Sequence, residues 1–218
     1  GSFHDGFAAR ISLEGDLGAL NIGALLAGGD NIEAMIAEFV ATSDLHINTV
    51  GDTGCERLSK LLKTAYAISD ADTDYQNLDA AVFAGDITDN GFIDSFAAFT
   101  AITDMELRED TERLAVLAKS HDSYTFGKNA LKIYSAMTNQ ETDFHRVING
   151  FHFISLTTTN GCDFNDAKRD YARKELKKAR EDAPNKPIFF FQHPHITDTV
   201  SGSIYWGDES LYPILMNY

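Results

Sequence analysis

Four short acidic and histidine clusters, each at the end of an apolar run, carry the residue types that hold metal ions and move protons. Asp44-Leu45-His46 follows Phe39-Val40-Ala41-Thr42, and Gly85-Asp86 with Asp89-Asn90-Gly91 follows Ala80-Ala81-Val82-Phe83-Ala84. His121-Asp122 follows Leu114-Ala115-Val116-Leu117, and His193-Pro194-His195 follows Ile188-Phe189-Phe190-Phe191. Carboxylates and neutral imidazoles suit zinc, manganese and iron ions. Each cluster alone has the composition of an ordinary turn or cap. Their recurrence, in order, at the ends of apolar runs points to one site assembled along a sheet edge, as a metal-dependent hydrolase needs.

The elements that must position these groups follow from the hydrophobic pattern. β-branched and aromatic runs at 39–42, 80–84, 113–118, 151–157 and 187–192 read as buried strands. Between them, Cys55-Leu58-Leu61-Leu62-Ala65-Ile68 and Phe92-Phe96-Phe99-Ile102 have helical spacing. A third helix is expected over 165–182, with Tyr171 and Leu176 inward, Asp163 as N-cap and Pro184 beyond its end. Strand and helix in alternation predict an α/β fold with a parallel or mixed sheet, whose carboxyl edge is where such folds place their sites. Residues 1–37 carry none of the candidate ligands and read as an N-terminal extension before a domain over 38–218. Within them, 11–20 reads as an edge strand or irregular chain and 31–37 as a short helix.

The order and spacing of the clusters resemble the calcineurin-like metallophosphoesterases, the superfamily that includes purple acid phosphatases and many phosphodiesterases. That family carries D-x-H, G-D-x-x-D/N-x-G, G-N-H-D/E, a histidine after a strand, and G-H-x-H. Asp44 and His46 match the first element, Gly85 to Gly91 the second, His121-Asp122 the back half of the third, and His193 the fourth. The resemblance implies a four-layer α/β/β/α sandwich and a dinuclear centre of two divalent or trivalent ions (Mn, Zn or Fe). By it, Asp44 and His46 ligate the first ion, Asp86 bridges both, and His193 ligates the second. Ser120 stands where the family has a ligating Asn, and its shorter hydroxyl predicts a weaker second metal. His121 is expected at the leaving group as general acid or hydrogen-bond donor, with Asp122 orienting its imidazole. Lys119 and Tyr124, flanking this element, are candidate substrate contacts. No G-H-x-H follows His193, so the expectation is a sandwich truncated at its C-terminal end. The implied activity is hydrolysis of phosphorylated small molecules or nucleotides. The competing expectation is a catalytically impaired relative serving as a binding or structural domain.

Bulk properties narrow the alternatives. At 218 residues the chain can bury one substantial core. A formal net charge of −15 argues against unspecific nucleic-acid binding, which relies on Lys and Arg at phosphates. No apolar run approaches the ~20 residues of a membrane span. Neither a G-x-S-x-G elbow nor a P-loop or dinucleotide glycine fingerprint is present, which leaves a nucleophilic serine or a nucleotide-fold reading without support. Cys55 and Cys162 form no CxxC pair; they allow one disulfide, although two free thiols are the expectation. His4, His145 and His152 lie outside the clusters and read as surface or packing residues. Tyr205, Trp206 and Tyr212 read as packing residues in preference to cleft-lining ones.

Overall fold

A computed structural model describes residues 7–12, 36–73, 75–199 and 203–218. In chain order the elements are β1 (Phe7–Ser12), β2 (Ile36–Thr42), α1 (Thr53–Ala71), β3 (Ala80–Ala84), α2 (Ile93–Glu106), β4 (Glu112–Val116), α3 (Ala130–Thr138), β5 (His145–Ile148), β6 (Phe151–Ser155), α4 (Asp166–Asp182), β7 (Ile188–Phe191), α5 (Ser203–Trp206) and α6 (Tyr212–Leu215). The fold is mixed α/β with two sheets. One has the order β1-β2-β3-β4, the other β5-β6-β7. In the first, β2, β3 and β4 run parallel, with Val40 opposite Ala81 and Val82 opposite Leu114, while β1 pairs antiparallel to β2. In the second, β5 and β6 form an antiparallel hairpin and β7 lies parallel to β6.

Period-two alternation explains why the strands read as unbroken apolar runs: both faces are buried. Val40, Ala81, Phe83 and Ala115 face α1, α2 and α3 in a cluster that includes Leu58, Leu62, Phe96, Phe99 and Tyr134. Their neighbours Phe39, Ala80, Val82 and Leu114 meet Phe151, Phe153, Phe189 and Phe191 of the other sheet. On that sheet's far side Ile154, Ile188 and Phe190 pack on Ala172, Leu176 and Ala179 of α4 and Ile214 of α6. Phe39 sits at the centre of the sheet-to-sheet layer, with edge-on contacts to Phe153, Phe189 and Phe191 at 5.2, 4.9 and 6.1 Å between centroids.

Several expectations change. Ile36 and Ala37 belong to β2 and not to a helix, while 31–35 lie outside the described residues. Residues 11 and 12 fall in β1, and 13–20 lie outside the description. The segment read as an extension therefore contributes an edge strand to the first sheet. The cap of α4 is Asn165, whose side chain accepts from Lys168 N, and not Asp163. Both cysteines are free thiols. Tyr205 and Trp206 are 77% and 68% exposed and so do not pack among the described residues. No helix among the described residues is long and apolar enough to cross a membrane.

Candidate metal centre

The site forms where the chain leaves β2 and β3 side by side. The pairing of these parallel strands continues past their ends: Asp44 N donates to Gly85 O, His46 N to Asp86 O and Ile47 N to Ile87 O, each at 3.0 Å. To keep this pairing while turning, Asp44, His46 and Asp86 adopt left-handed backbone conformations, with φ of 56°, 49° and 48°. Such conformations are costly for residues with a Cβ and concentrate at functional sites. Gly85, at φ 92°, has a second reason to be glycine: a Cβ there would lie 2.6 Å from the His193 ring. The bare backbone is what lets His193 reach across from the end of β7.

Asp86 is the hub. Its Oδ1 accepts from the Ser120 hydroxyl at 2.6 Å. Its Oδ2 faces Nε2 of His193 at 3.5 Å and Nε2 of His121 at 3.9 Å. Both rings are oriented by main-chain carbonyls, His193 Nδ1 on Ala84 O at 2.9 Å and His121 Nδ1 on Asp89 O at 2.7 Å. A carbonyl holding one imidazole nitrogen while the other points into a polar site is the usual support of a metal-ligating or proton-transferring histidine. Ligand-capable atoms of Asp44, Asp86 and His193 lie within 4.8 Å of one another, and so do those of His46, Asp89 and His121. His46 Nε2 stands 3.9 Å from Asp44 Oδ1, linking the two groups. Its Nδ1 is buried and without a hydrogen-bond partner. A buried nitrogen with no hydrogen bond, 3.5 Å from Asp89 Oδ1 and amid an N/O donor set, is suited to holding a Zn, Mn or Fe ion.

The structure thus brings together Asp44, His46, Asp86, Ser120, His121 and His193. Ser120 acts on Asp86, donating a hydrogen bond to the carboxylate expected to bridge. Tyr124 is exposed and lies against His121, with ring centroids 4.8 Å apart. Lys119 points elsewhere: its backbone bridges to Gly161 and its side chain lines a neighbouring cavity. Burial and the nearby Lys168 hold its ammonium below the usual lysine value, with Asp143 opposing.

Asp122 departs from expectation. It is fully buried, and its carboxylate accepts from Thr88 N at 2.8 Å, Thr88 Oγ1 at 3.0 Å and Ala118 N at 2.9 Å. It therefore ties the loop after β3 to the loop after β4 and makes no contact that orients His121. Burial raises its pKa to about 6 against those hydrogen bonds. The residue that does orient His121 is Asp89, through its carbonyl and with its carboxylate 3.6 Å from Nδ1. Asn48 and Asn90 hold the other Asp89 oxygen at 3.1 and 3.0 Å. The available signal was its place three residues after Asp86, within an element already singled out.

The electrostatics of the hub set a pH dependence. Burial disfavours the His193 charge, but the Asp86 carboxylate outweighs it and pushes the imidazole up to about 9. Burial likewise opposes ionisation of Asp86, and His193, Ser120 and His121 bring it below the usual carboxylate value. Because the folded-state value of His193 lies above its ordinary 6.5, its contribution to stability is full below about 6.5 and is lost as pH rises through about 9. Thermal melts in chelator are expected to show this decline between pH 6.5 and 9, and His193→Gln to remove it. A melting temperature that is flat or rising over that interval contradicts the assignment.

No protein-family model matches this chain, and no curated protein matches its sequence.

Proposed function

We propose that this chain is a metal-dependent phosphoesterase with a dinuclear centre, acting on phosphorylated small molecules or nucleotides within a four-layer α/β/β/α sandwich. The observation that carries the reading is the Asp86 carboxylate, which meets a hydroxyl on one oxygen and two carbonyl-oriented histidines on the other. The layered architecture is supported by the three apolar clusters, helices on sheet, sheet on sheet, and sheet on helices. Asp44, His46, Asp86 and His193 would hold the ions. Two divalent ions bound there would supply a water of lowered pKa and charge to offset a phosphoryl group.

The chain's own residues do the rest. Ser120 fixes the rotamer of Asp86 through its 2.6 Å hydrogen bond. His121, with Nδ1 committed to the Asp89 carbonyl, presents Nε2 beside exposed Tyr124 and holds a proton for the leaving oxygen. Asp89 keeps that ring in place. Asp122 clamps the two loops that carry Asp86 and His121. The reading as an inactive scaffold is disfavoured by the grouping of ligand-capable atoms, Asp44 with Asp86 and His193, and His46 with Asp89 and His121.

His121→Gln separates proton transfer from ligation. Turnover of an aryl phosphodiester is expected to fall roughly 10²–10⁴-fold, with bound metal unchanged by elemental analysis. Loss of metal together with turnover would move His121 into the ligand set with His46 and Asp89. Wild-type protein loaded with Mn²⁺ that turns over no aryl phosphomonoester or phosphodiester above an Asp44→Ala control would refute the enzyme reading.

A further inference from the structure

A cavity of about 390 Å³ beside the candidate centre is lined by two lysines, Lys119 and Lys168, against one carboxylate, Asp143, together with the hydroxyls of Thr158, Thr159 and Tyr171. Lys119 brings an ammonium that makes no ion pair or hydrogen bond with the described residues. Thr158 Oγ1 accepts from Lys119 N at 3.2 Å and Thr159 Oγ1 accepts from Asn165 N at 3.0 Å, so each hydroxyl still has its proton to give. Burial pushes the Tyr171 phenol up to about 12, which keeps it a donor. The one lining carboxylate, Asp143, is already spent: one oxygen accepts from Thr157 N at 2.8 Å and the other is paired with Lys168. One ammonium in excess of carboxylate, half-buried and beside hydroxyls free to donate, favours a ligand that is an acceptor and an anion.

The cavity adjoins the hub by a single residue. Lys119 precedes Ser120, whose hydroxyl contacts Asp86, and successive Cα atoms are ~3.8 Å apart. We propose that Lys119, Thr158, Thr159 and Tyr171 form a subsite for a second phosphoryl group of the substrate, so that the preferred substrate is a phosphoester bearing another phosphate. This deepens the phosphoesterase reading and rests on it for what the subsite serves. Anion binding by the subsite is independent of metal and of turnover. A tetrahedral phosphate, with several acceptor oxygens, matches a ring of donors better than a planar carboxylate does.

The test is a titration of ¹⁵N-labelled, metal-free protein with inorganic phosphate, followed by amide shifts. Saturable shifts are expected at Lys119, Thr158, Thr159 and Lys168, with affinity reduced at least tenfold in Lys119→Met. Tyr171→Phe, which loses only a hydroxyl and keeps the packing, is expected to weaken binding severalfold. The proposal is overturned by shifts confined to the Asp44, Asp86 and His193 loops, by no saturable shift at all, or by unchanged affinity in both variants. Because no metal or turnover enters the measurement, a failed subsite and a failed phosphoesterase reading give different results.

Discussion

Asp86→Asn is expected to lower turnover of an aryl phosphodiester by more than about 100-fold and to leave less than one tightly held ion per chain. Replacing a group that only supports a metal ligand typically costs 10–100-fold, and Asp86 is proposed above as a ligand itself. The amide keeps the volume and can still accept from Ser120. However, it removes the charge that raises His193 and turns an N–H toward Nε2 of His193 and His121. The fold should survive, since the carboxylate lies at the sheet edge and not within the apolar clusters. Elemental analysis after desalting, run beside steady-state kinetics, checks both parts. Retention of two ions with near-normal turnover would remove Asp86 from the centre.

Asp122→Ala is expected to act on stability. The substitution leaves Thr88 N, Thr88 Oγ1 and Ala118 N without their acceptor in a site closed to water. Each buried donor left unpaired costs ~1–3 kcal/mol, so a loss of about 3 kcal/mol overall is expected, or roughly 6–12 °C in Tm for a chain of this size. Its neighbourhood cannot collapse to compensate. Gly91 already approaches so closely that a Cβ there would lie 2.5 Å from Asp122 O. Urea or thermal unfolding measures the effect, and a change below about 0.5 kcal/mol would show that the clamp is not needed. Metal affinity should fall as a consequence, since the clamp joins the loops that carry Asp86 and His121.

The contrast between these residues shows what a sequence can and cannot disclose. Asp44, His46, Asp86 and His121 were legible because each follows an apolar run, and the parallel strands β2, β3 and β4 deliver their ends to one edge; His193, also after an apolar run, comes instead from β7 of the other sheet. The convergence of the first four followed from strand topology, whereas that of His193 required the packing of one sheet on the other. The partner of His121 did not, because adjacency in sequence favours Asp122 while the fold turns that carboxylate inward. Which of two neighbouring side chains faces a site depends on the backbone twist at Ser120, whose φ of −114° and ψ of −108° no residue pattern announces. The central strands were legible as apolar runs, whereas β5 escaped notice. Its sequence His145-Arg146-Val147-Ile148 has a buried residue only at its end, as an edge strand can. The helix α3 was missed although Leu131, Ile133, Tyr134 and Met137 have helical spacing; at nine residues it is short for periodicity to mark it out. The roles of His145 and His152 were also partly visible. They were read as surface or packing residues, and they form a hydrogen-bonded pair at 2.8 Å that anchors β5 to Glu175 of α4.

The most direct test of the account is a crystal of the protein soaked in Mn²⁺ and measured at the manganese absorption edge. Two anomalous peaks are expected ~3.5–4 Å apart, both within ligand distance of the Asp86 carboxylate, one beside Asp44 and His46 and the other beside His193. Anomalous density absent from Asp86, with Asp44, His46 and His193 bound to no ion, would contradict it.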